Sequence, residues 1–364
     1  MRTPLITFIV VLLLSATVTA QPPEAEPCEI GPQPIDLPDY ETSDAPFVAL
    51  DGNRFVADGE TFMLRGVNYY PANYPWRRFL TESDDDTLRN EMALIRDTGF
   101  NSLRIFLWNA ALFDCDGRGV APNADAFARL DSVMQIAAEH DLYLIVTLND
   151  LPHLPELYDN PAYTVEQTRI IVERYVDEGI ILAWDLRNEG DIDYDGVNFF
   201  KPGTVARDTV LDWLAQASQQ VRELNENHLI TAGWRYNEQH TLPYVDFVSF
   251  HHWRGADELR VRLEAMAYEK PVLLQEFGYT TFDLSEEVQA TAIRDVMRLV
   301  EDERDDVLGW MVWTAFDFPL TATCYPGECV SADNREHHFG IWYSDATEKP
   351  AVAAIVNELA RLDE

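Results

Sequence analysis

The chain has 364 residues, of which 47% are hydrophobic and 12% aromatic, so it can bury a large core and does not have the composition of a disordered protein. Its formal net charge at pH 7 is −36. A surface of that sign repels a phosphate backbone, which excludes nucleic acid as a partner and suits a neutral ligand.

The first twenty residues have the layout of a secretory signal. Arg2 precedes an apolar run from Leu5 to Leu14, and small residues follow as far as Ala20. The run is shorter than the roughly 20 apolar residues that a membrane-spanning helix needs. We therefore expect a signal peptide over residues 1–20, cleavage near Gln21, an extracellular protein and no membrane association after cleavage.

The four cysteines of an exported chain predict disulfides, because the compartment is oxidising. Cys324 and Cys329 flank a short loop with a Pro-Gly turn, which leaves Cys28 to pair with Cys115. A zinc site is the weaker alternative, since no C-x-x-C spacing occurs.

Residues 21–46 are rich in Pro, Glu and Asp and poor in apolar residues, so we predict a flexible tether there. From Phe47 the sequence F-V-A-L-D-G-N-R-F-V-A-D-G alternates apolar residues around D-G turn signals, which predicts a short β-hairpin. The catalytic domain is expected to span residues 47–364.

After the hairpin, strand-like and helix-like segments alternate eight times, which predicts an α/β protein with a (β/α)8 TIM barrel. A doubly wound open sheet is the structural alternative, but the Gly-rich phosphate turn that usually follows its first strand is missing. Each predicted strand is a short apolar run, in chain order Phe62 to Tyr69, Ser102 to Trp108, Leu142 to Leu148, Ile181 to Leu186, Leu229 to Gly233, Val245 to Phe250, Pro271 to Gln275 and Val307 to Trp313.

Two of the intervening helices carry signals at their ends. Gly99 predicts the end of the helix that follows the first barrel strand. Thr164 and Gln167 have the spacing of a capping box at the start of a later helix.

Active sites of barrels lie at the carboxyl ends of the strands, and carboxylates follow two of the predicted strands. The fourth strand ends W-D-L-R-N-E-G, which places Asn188 and Glu189 there, and the seventh ends P-V-L-L-Q-E-F-G-Y, which places Glu276 there. Strands four and seven lie nearly opposite one another, so the two glutamates can converge over the barrel mouth. Glycoside hydrolysis requires such a pair. Solvated carboxylates at loop edges are the alternative.

Together, W-D-L-R-N-E-G and V-L-L-Q-E-F-G resemble motifs of the clan of retaining barrel glycosidases that includes family-five cellulases and endo-β-mannanases. The resemblance implies a secreted retaining β-glycoside hydrolase that works by double displacement. It gives Glu189 the role of acid/base and Glu276 that of nucleophile, with about 5–5.5 Å between their carboxyl groups. Neither a metal nor an organic cofactor is implied.

The same resemblance implies further site residues. Arg104 in S-L-R-I-F would keep the nucleophile ionised, and Asn188 would bond the sugar 2-hydroxyl. His251 would be the sixth-strand histidine, and Trp313 the tryptophan on which the reacting sugar stacks. Trp253 stands where the family usually has a tyrosine that bonds the nucleophile, and an indole N–H can only donate.

The substrate implied is a β-linked glycan. Asn149 in T-L-N-D resembles the asparagine that mannanases carry at the third strand, which favours β-1,4-mannan over a cellulose-type glucan. We expect the segment from Phe318 to Gly340 to form one wall of the cleft, and the protein to be a monomer. The alternatives are a catalytically weak carbohydrate-binding barrel protein, and an exo-acting β-glycosidase or transglycosylase of the same clan.

Overall fold

The computed structural model of the chain describes residues 36–150, 157–158, 161–194, 203–303, 306–323 and 332–362, without the side chains of Thr323 and Glu303. The predicted signal peptide lies outside these ranges. Within them, no helix combines the length and the apolar content that crossing a bilayer requires.

A small antiparallel sheet comes first, formed by β1 (Val48–Asp51), β2 (Arg54–Ala57) and β3 (Glu60–Phe62). Gly52 and Gly59 turn between the strands at positive φ, as the D-G signals predict. The hairpin prediction is confirmed. Phe62, predicted to begin the first barrel strand, instead pairs with Phe55 in β3, because the second D-G turn adds a third strand.

The barrel contains nine parallel stretches: β4 (Leu64–Asn68), β5 (Ser102–Phe106), β6 (Tyr143–Thr147), β7 (Ile181–Asp185), β8 (Leu229–Thr231), β9 (Gly233–Trp234), β10 (Val248–His251), β11 (Val272–Phe277) and β12 (Val307–Val312). β8 and β9 are two pieces of one strand, separated by Ala232, with β8 paired to β7 and β9 paired to β10. β12 pairs with β4. The ring is thus the predicted (β/α)8 barrel.

Nine helices surround the barrel in the described part of the chain: α1 (Arg78–Glu82), α2 (Asp85–Asp97), α3 (Asn109–Leu112), α4 (Ala124–Glu139), α5 (Ala162–Arg174), α6 (Arg207–Leu224), α7 (Ala256–Ala265), α8 (Glu286–Glu303) and α9 (Pro350–Leu362). Asp114–Gly117 is a tight turn in which Cys115, Asp116 and Gly117 have positive φ. Short 3-10 turns cover Gly190–Asp193, Glu238–Thr241, Leu320–Thr323 and Arg335–His337. Gly99, at φ 103°, follows the end of α2 as predicted.

The predicted capping box at the start of α5 is wrong. The N-cap is Pro161, whose carbonyl accepts a hydrogen bond from the Thr164 hydroxyl at 2.9 Å. Gln167 instead donates to the carbonyls of Gly117 and Gly119, at 2.8 and 2.6 Å. Without Gln167 those two carbonyls would be buried without hydrogen-bond partners. Satisfying them stabilises the fold more than capping the helix end would.

The amino end of the barrel is closed by the small antiparallel sheet. Val48 and Phe55 of that sheet pack with Leu64 and Leu182 of the barrel strands, and with Phe247, which directly precedes β10. The rings of Phe55 and Phe247 meet edge to face at 5.4 Å between centroids. This end of the molecule is therefore an apolar core.

Residues 36–46, the last part of the predicted tether, lie against the same end of the barrel. Tyr40 and Ser43 donate hydrogen bonds to the fully buried carboxylate of Glu178. A Cβ at Gly179 would lie 1.8 Å from the carbonyl oxygen of Ala45, so the segment runs directly over this glycine. The prediction of a free tether does not hold for residues 36–46, and for 21–35 it falls outside the described residues.

Of the four cysteines, Cys115 alone lies in the described ranges, and there it is bonded in a disulfide rather than free. Cys28, Cys324 and Cys329 lie outside those ranges. Both predicted pairings, and the choice between the second pair and a zinc site, therefore remain predictions.

Candidate active site

Glu189 and Glu276 meet at the carboxyl end of the barrel. Glu276 belongs to β11, and Glu189 follows β7 at a positive φ of 46°, where its backbone N–H donates to the carbonyl of Gly233 at 2.7 Å. One carboxylate oxygen from each glutamate and one ring nitrogen of His251 all lie within 4.8 Å of one another. The predicted convergence of the two strand ends is therefore present.

His251 lies between the two carboxylates and is fully buried. Its Nδ1 is 2.9 Å from Glu189 Oε1 and 3.2 Å from Glu276 Oε2. Its Nε2 is buried without a hydrogen-bond partner among the described residues. A neutral imidazole with its proton on Nδ1 can donate to either glutamate, so His251 connects the pair.

Arg104 of β5 is fully buried and pairs with two carboxylates. It contacts Asp185 at 2.7 Å and also makes an ion pair with Glu276. Its other N–H groups donate to Asn68 Oδ1 at 3.2 Å and Asn188 Oδ1 at 2.9 Å. The guanidinium is thus fixed by these groups, and its charge is divided between Asp185 and Glu276.

The pKa values of Glu276 and Glu189 shift in opposite directions, and that of Glu276 is not lowered as the contact with Arg104 predicts. Burial raises the pKa of Glu276, and the charges of His251 and Arg104 offset that rise only in part. Burial acts on Glu189 too, but there the His251 hydrogen bond and the charges of His251 and Arg235 bring the pKa below its ordinary value. Arg104 does contact Glu276 as predicted, but its lowering effect on the Glu276 pKa is outweighed by burial together with repulsion from Glu189.

Asn188 is held from two sides. It accepts from Arg104, and its Nδ2 donates to Asp150 Oδ1 at 3.2 Å. Asp150 in turn accepts from the Tyr70 hydroxyl at 3.1 Å, and burial raises the pKa of this aspartate. Asn188 is only partly buried, so its amide keeps a fixed orientation at the edge of the cleft.

The two predicted tryptophans lie in different surroundings. Trp313 directly follows β12, is partly exposed, and meets Phe106 edge to face at 5.6 Å. Trp253 packs against Phe339 at 5.6 Å and lies beside the guanidinium of Arg235 at 5.8 Å. Its indole nitrogen is buried with no partner among the described residues, so it makes no bond to the predicted nucleophile.

The Asn149 side chain hydrogen-bonds none of these residues. It is 3% exposed, and its amide donates to the Leu186 carbonyl at 3.1 Å. It lines a small crevice with Thr164 of α5 and Trp213 of α6. The expected contact between Asn149 and substrate therefore stays a prediction.

Three functional-site residues escape the sequence analysis: Asp185, Arg235 and Glu336. Asp185 carries a signal, since an aspartate inside the apolar strand I-L-A-W-D demands a buried partner. Arg235 lies with Nη1 3.6 Å from Glu189 Oε2. Glu336 lies on the described part of the predicted cleft wall, where the Trp313 indole hydrogen-bonds its carboxylate. Arg235 directly follows β9, so its position at a strand end was a usable signal, whereas Glu336 lies in a loop without a periodic pattern.

A metal ion could find three ligand atoms in the described residues at the cluster of Glu189, His251 and Glu276. The positive charges of Arg104 and Arg235 lie beside both carboxylates. They already supply the compensation that a cation would give, which fits the cluster to acid–base and nucleophilic chemistry better than to metal binding.

Comparison with known proteins gives consistent results. A family model described as "Cellulase (glycosyl hydrolase family 5)" matches residues 56–316. A mannan endo-1,4-β-mannosidase A from Podospora anserina is 27% identical over 288 residues, covering 63% of this chain and 73% of that protein. A probable mannan endo-1,4-β-mannosidase A from Aspergillus oryzae is 23% identical over 330 residues, covering 74% and 80%.

Solved structures share the architecture. An exo-β-1,4-mannosidase from Opitutaceae bacterium strain TAV5 superposes with a TM-score of 0.70 at 18% identity, covering 86% of this chain and 62% of that one. An endo-1,4-β-mannanase from Rhizomucor miehei gives a TM-score of 0.63 at 18% identity, covering 87% and 99%. At such low identity the similarity supports the barrel fold alone.

Proposed function

The chain belongs to the cellulase family, glycosyl hydrolase family 5, whose model covers more than half of it, and on that premise we propose that it hydrolyses β-1,4-mannan with retention of configuration. Glu276 is the proposed nucleophile and Glu189 the proposed acid/base. The proposal depends above all on one observation, the convergence of these two carboxylates with His251 between them.

The separation of the two glutamates supports retention. One carboxylate oxygen of Glu189 lies within 4.8 Å of one carboxylate oxygen of Glu276. Retaining glycosidases place the two carboxyl groups about 5–5.5 Å apart, whereas inverting enzymes need about 6.5–9.5 Å to admit a water molecule. The spacing therefore favours direct attack by a carboxylate on the anomeric carbon.

In the first step, an oxygen of Glu276 bonds to the anomeric carbon and the glycosidic C–O bond breaks. The proton of Glu189 passes to the leaving oxygen, which departs as a sugar hydroxyl. In the second step, Glu189 as a carboxylate takes a proton from water, and the resulting oxygen attacks the anomeric carbon. Glu276 leaves as a carboxylate, and Glu189 is protonated again.

The roles are assigned from position rather than from pKa direction. The Glu276 side chain is 5% exposed and pinned by Arg104, which suits a nucleophile that must stay in place. The Glu189 side chain is 14% exposed, so it can exchange protons with the leaving group and water. The first step requires one proton between the two glutamates. That proton must occupy Glu189 when the sugar binds.

The choice of mannan is supported by the relatives named mannan endo-1,4-β-mannosidase. Asn188 is proposed to bond the 2-hydroxyl of the reacting sugar, because Arg104 and Asp150 fix its amide. Trp313 is proposed to stack on that sugar, and Trp253 to contact it at the cleft wall. Export through the N-terminal signal and a monomeric state complete the proposal.

The test is a panel of mannan, soluble cellulose and xylan, with the product anomer followed by NMR. We expect release of manno-oligosaccharides from mannan with the β-anomer formed first. Glu276→Gln serves as the inactive control. Glu189→Gln should lose activity on mannan but retain much of its first step on aryl mannosides, whose leaving groups need little protonation.

Binding of mannan without release of sugar would instead support the carbohydrate-binding alternative. The chain lengths of the products from a defined oligosaccharide separate endo from exo cleavage. Size-exclusion chromatography with light scattering tests the monomer. Activity on cellulose or xylan with none on mannan would contradict the substrate proposal and leave the family chemistry intact.

A further inference from the structure

We propose that Glu336 is a specificity-determining residue that accepts hydrogen bonds from hydroxyl groups of the sugar unit stacked on Trp313. The inference rests on the proposed function, since it assigns a residue to the recognition of that same substrate. It adds a third carboxylate to the site, contributed by the cleft wall rather than by a strand end.

The turn that carries Glu336 is firmly attached to the barrel. Asn334 caps the 3-10 turn Arg335–His337 by accepting from the Glu336 backbone N–H at 2.9 Å. Thr281 N–H donates to the His338 carbonyl at 2.9 Å, and the Thr280 hydroxyl donates to that of Arg335 at 3.1 Å. The position of Glu336 over the cleft is thus set by its backbone.

The carboxylate of Glu336 faces the reacting groups. Its charged neighbours are Glu276, Glu189 and Arg235, and its hydrogen-bond donor is the Trp313 indole. The negative charges of Glu276 and Glu189 repel this carboxylate. Repulsion of this kind disfavours a carboxylate here on stability grounds, so a role in the site is the better explanation for its presence.

The same carboxylate can still accept hydrogen bonds. A carboxylate offers about four acceptor positions, and the Trp313 indole occupies one of them. Glu336 is an exposed residue, so the other acceptor positions are accessible to a ligand. Sugar hydroxyls are donors of the matching kind, and two adjacent hydroxyls can bond one carboxylate together. The contact would distinguish sugars by the positions of the hydroxyl groups on the unit stacked on Trp313.

The experiment compares steady-state kinetics of wild type, Glu336→Ala and Glu336→Gln on a short β-1,4-manno-oligosaccharide. Glu264→Gln, at an exposed position on α7 away from the cleft, is the matched control. Loss of hydrogen bonds to a charged acceptor should raise KM about 10-fold or more in Glu336→Ala, with kcat within about threefold of wild type. Glu336→Gln should fall between the two, since its amide oxygen still accepts.

Calorimetric binding of the same oligosaccharide to Glu276→Gln, with and without Glu336→Ala, repeats the test without turnover, and melting curves check folding. An unchanged KM and affinity would overturn the inference, and so would a fall in kcat at constant KM. If wild type hydrolyses xylan or cellulose instead, the comparison is made on that glycan. Wild-type inactivity on every β-glycan would remove the proposed function, whereas wild-type activity with unaltered Glu336→Ala kinetics removes only this inference.

Discussion

The two ends of the barrel differ in what they bury. The carboxyl end buries charged and polar groups, including Arg104, Asp185, Glu276 and His251. The amino end buries apolar side chains such as Phe55 of the small sheet. Arg104 and Phe55 are equally buried, so burial alone does not distinguish a site from a core.

The difference indicates which end of the barrel supplies activity and which supplies stability. At the carboxyl end, His251 Nε2 and both polar atoms of the Gln275 side chain are buried without partners among the described residues. Such groups cost stability, and they are tolerated where chemistry needs them. We expect the apolar end to supply stability that offsets this cost, and substitutions at the two ends to separate activity from stability.

Glu276→Gln is the strongest test of the contrast between the two ends of the barrel. We expect kcat/KM on mannan to fall about 10⁴-fold or more, because the nucleophile is lost. The melting temperature should stay the same or rise, since burial and Glu189 disfavour the charge that is removed. Thermal unfolding and activity assays measure both. A clear loss of stability would show that Glu276 is a structural member of the barrel.

Phe55→Ala should have the opposite profile. Truncating this fully buried ring should lower the free energy of unfolding by about 3–5 kcal/mol, because a cavity opens beneath the barrel. Well below the melting temperature, kcat/KM should match wild type. Phe47→Ala, at a ring that is 39% exposed, is the control and should change stability much less. A large fall in kcat/KM for Phe55→Ala would couple the two ends.

Glu91→Gln tests how the burial of a carboxyl group affects stability as the pH changes. Burial raises the pKa of Glu91 from 4.5 to about 7, although Tyr69 and Ala72 donate hydrogen bonds to it. Its contribution to stability is therefore complete below pH 4.5 and is lost as the pH rises through 7. Relative to wild type, Glu91→Gln should gain up to about 3 kcal/mol between pH 4.5 and pH 8. Denaturant unfolding at both pH values measures this, with exposed Glu60→Gln as the control.

Tyr40→Phe should have the smallest effect. It removes one hydrogen bond to Glu178 but leaves those from Ser43, so we expect a loss of about 1 kcal/mol in unfolding free energy. Mannan hydrolysis should not change. An unaltered stability in denaturant would indicate that residues 36–46 contribute little to the fold.

The carboxyl end was predictable where its residues follow strands. Glu189 and Glu276 could be placed because a barrel brings all its strand ends to one rim. Arg235 directly follows β9 and could have been found by the same rule, whereas Glu336 reaches the rim from a loop, whose path no local pattern specifies. The docking of residues 36–46 was hidden for a related reason, since its partner Glu178 lies 135 residues beyond Ser43. Composition describes a segment by itself, whereas docking depends on a distant acceptor.

The docking of residues 36–46 on Glu178 has a practical consequence. The segment runs under the closed end of the barrel, so a linker joined ahead of Asp36 would emerge on the side opposite Glu189 and Glu276. Attachment to a bead or a fused protein at that point would leave the cleft facing outward, towards an insoluble polymer.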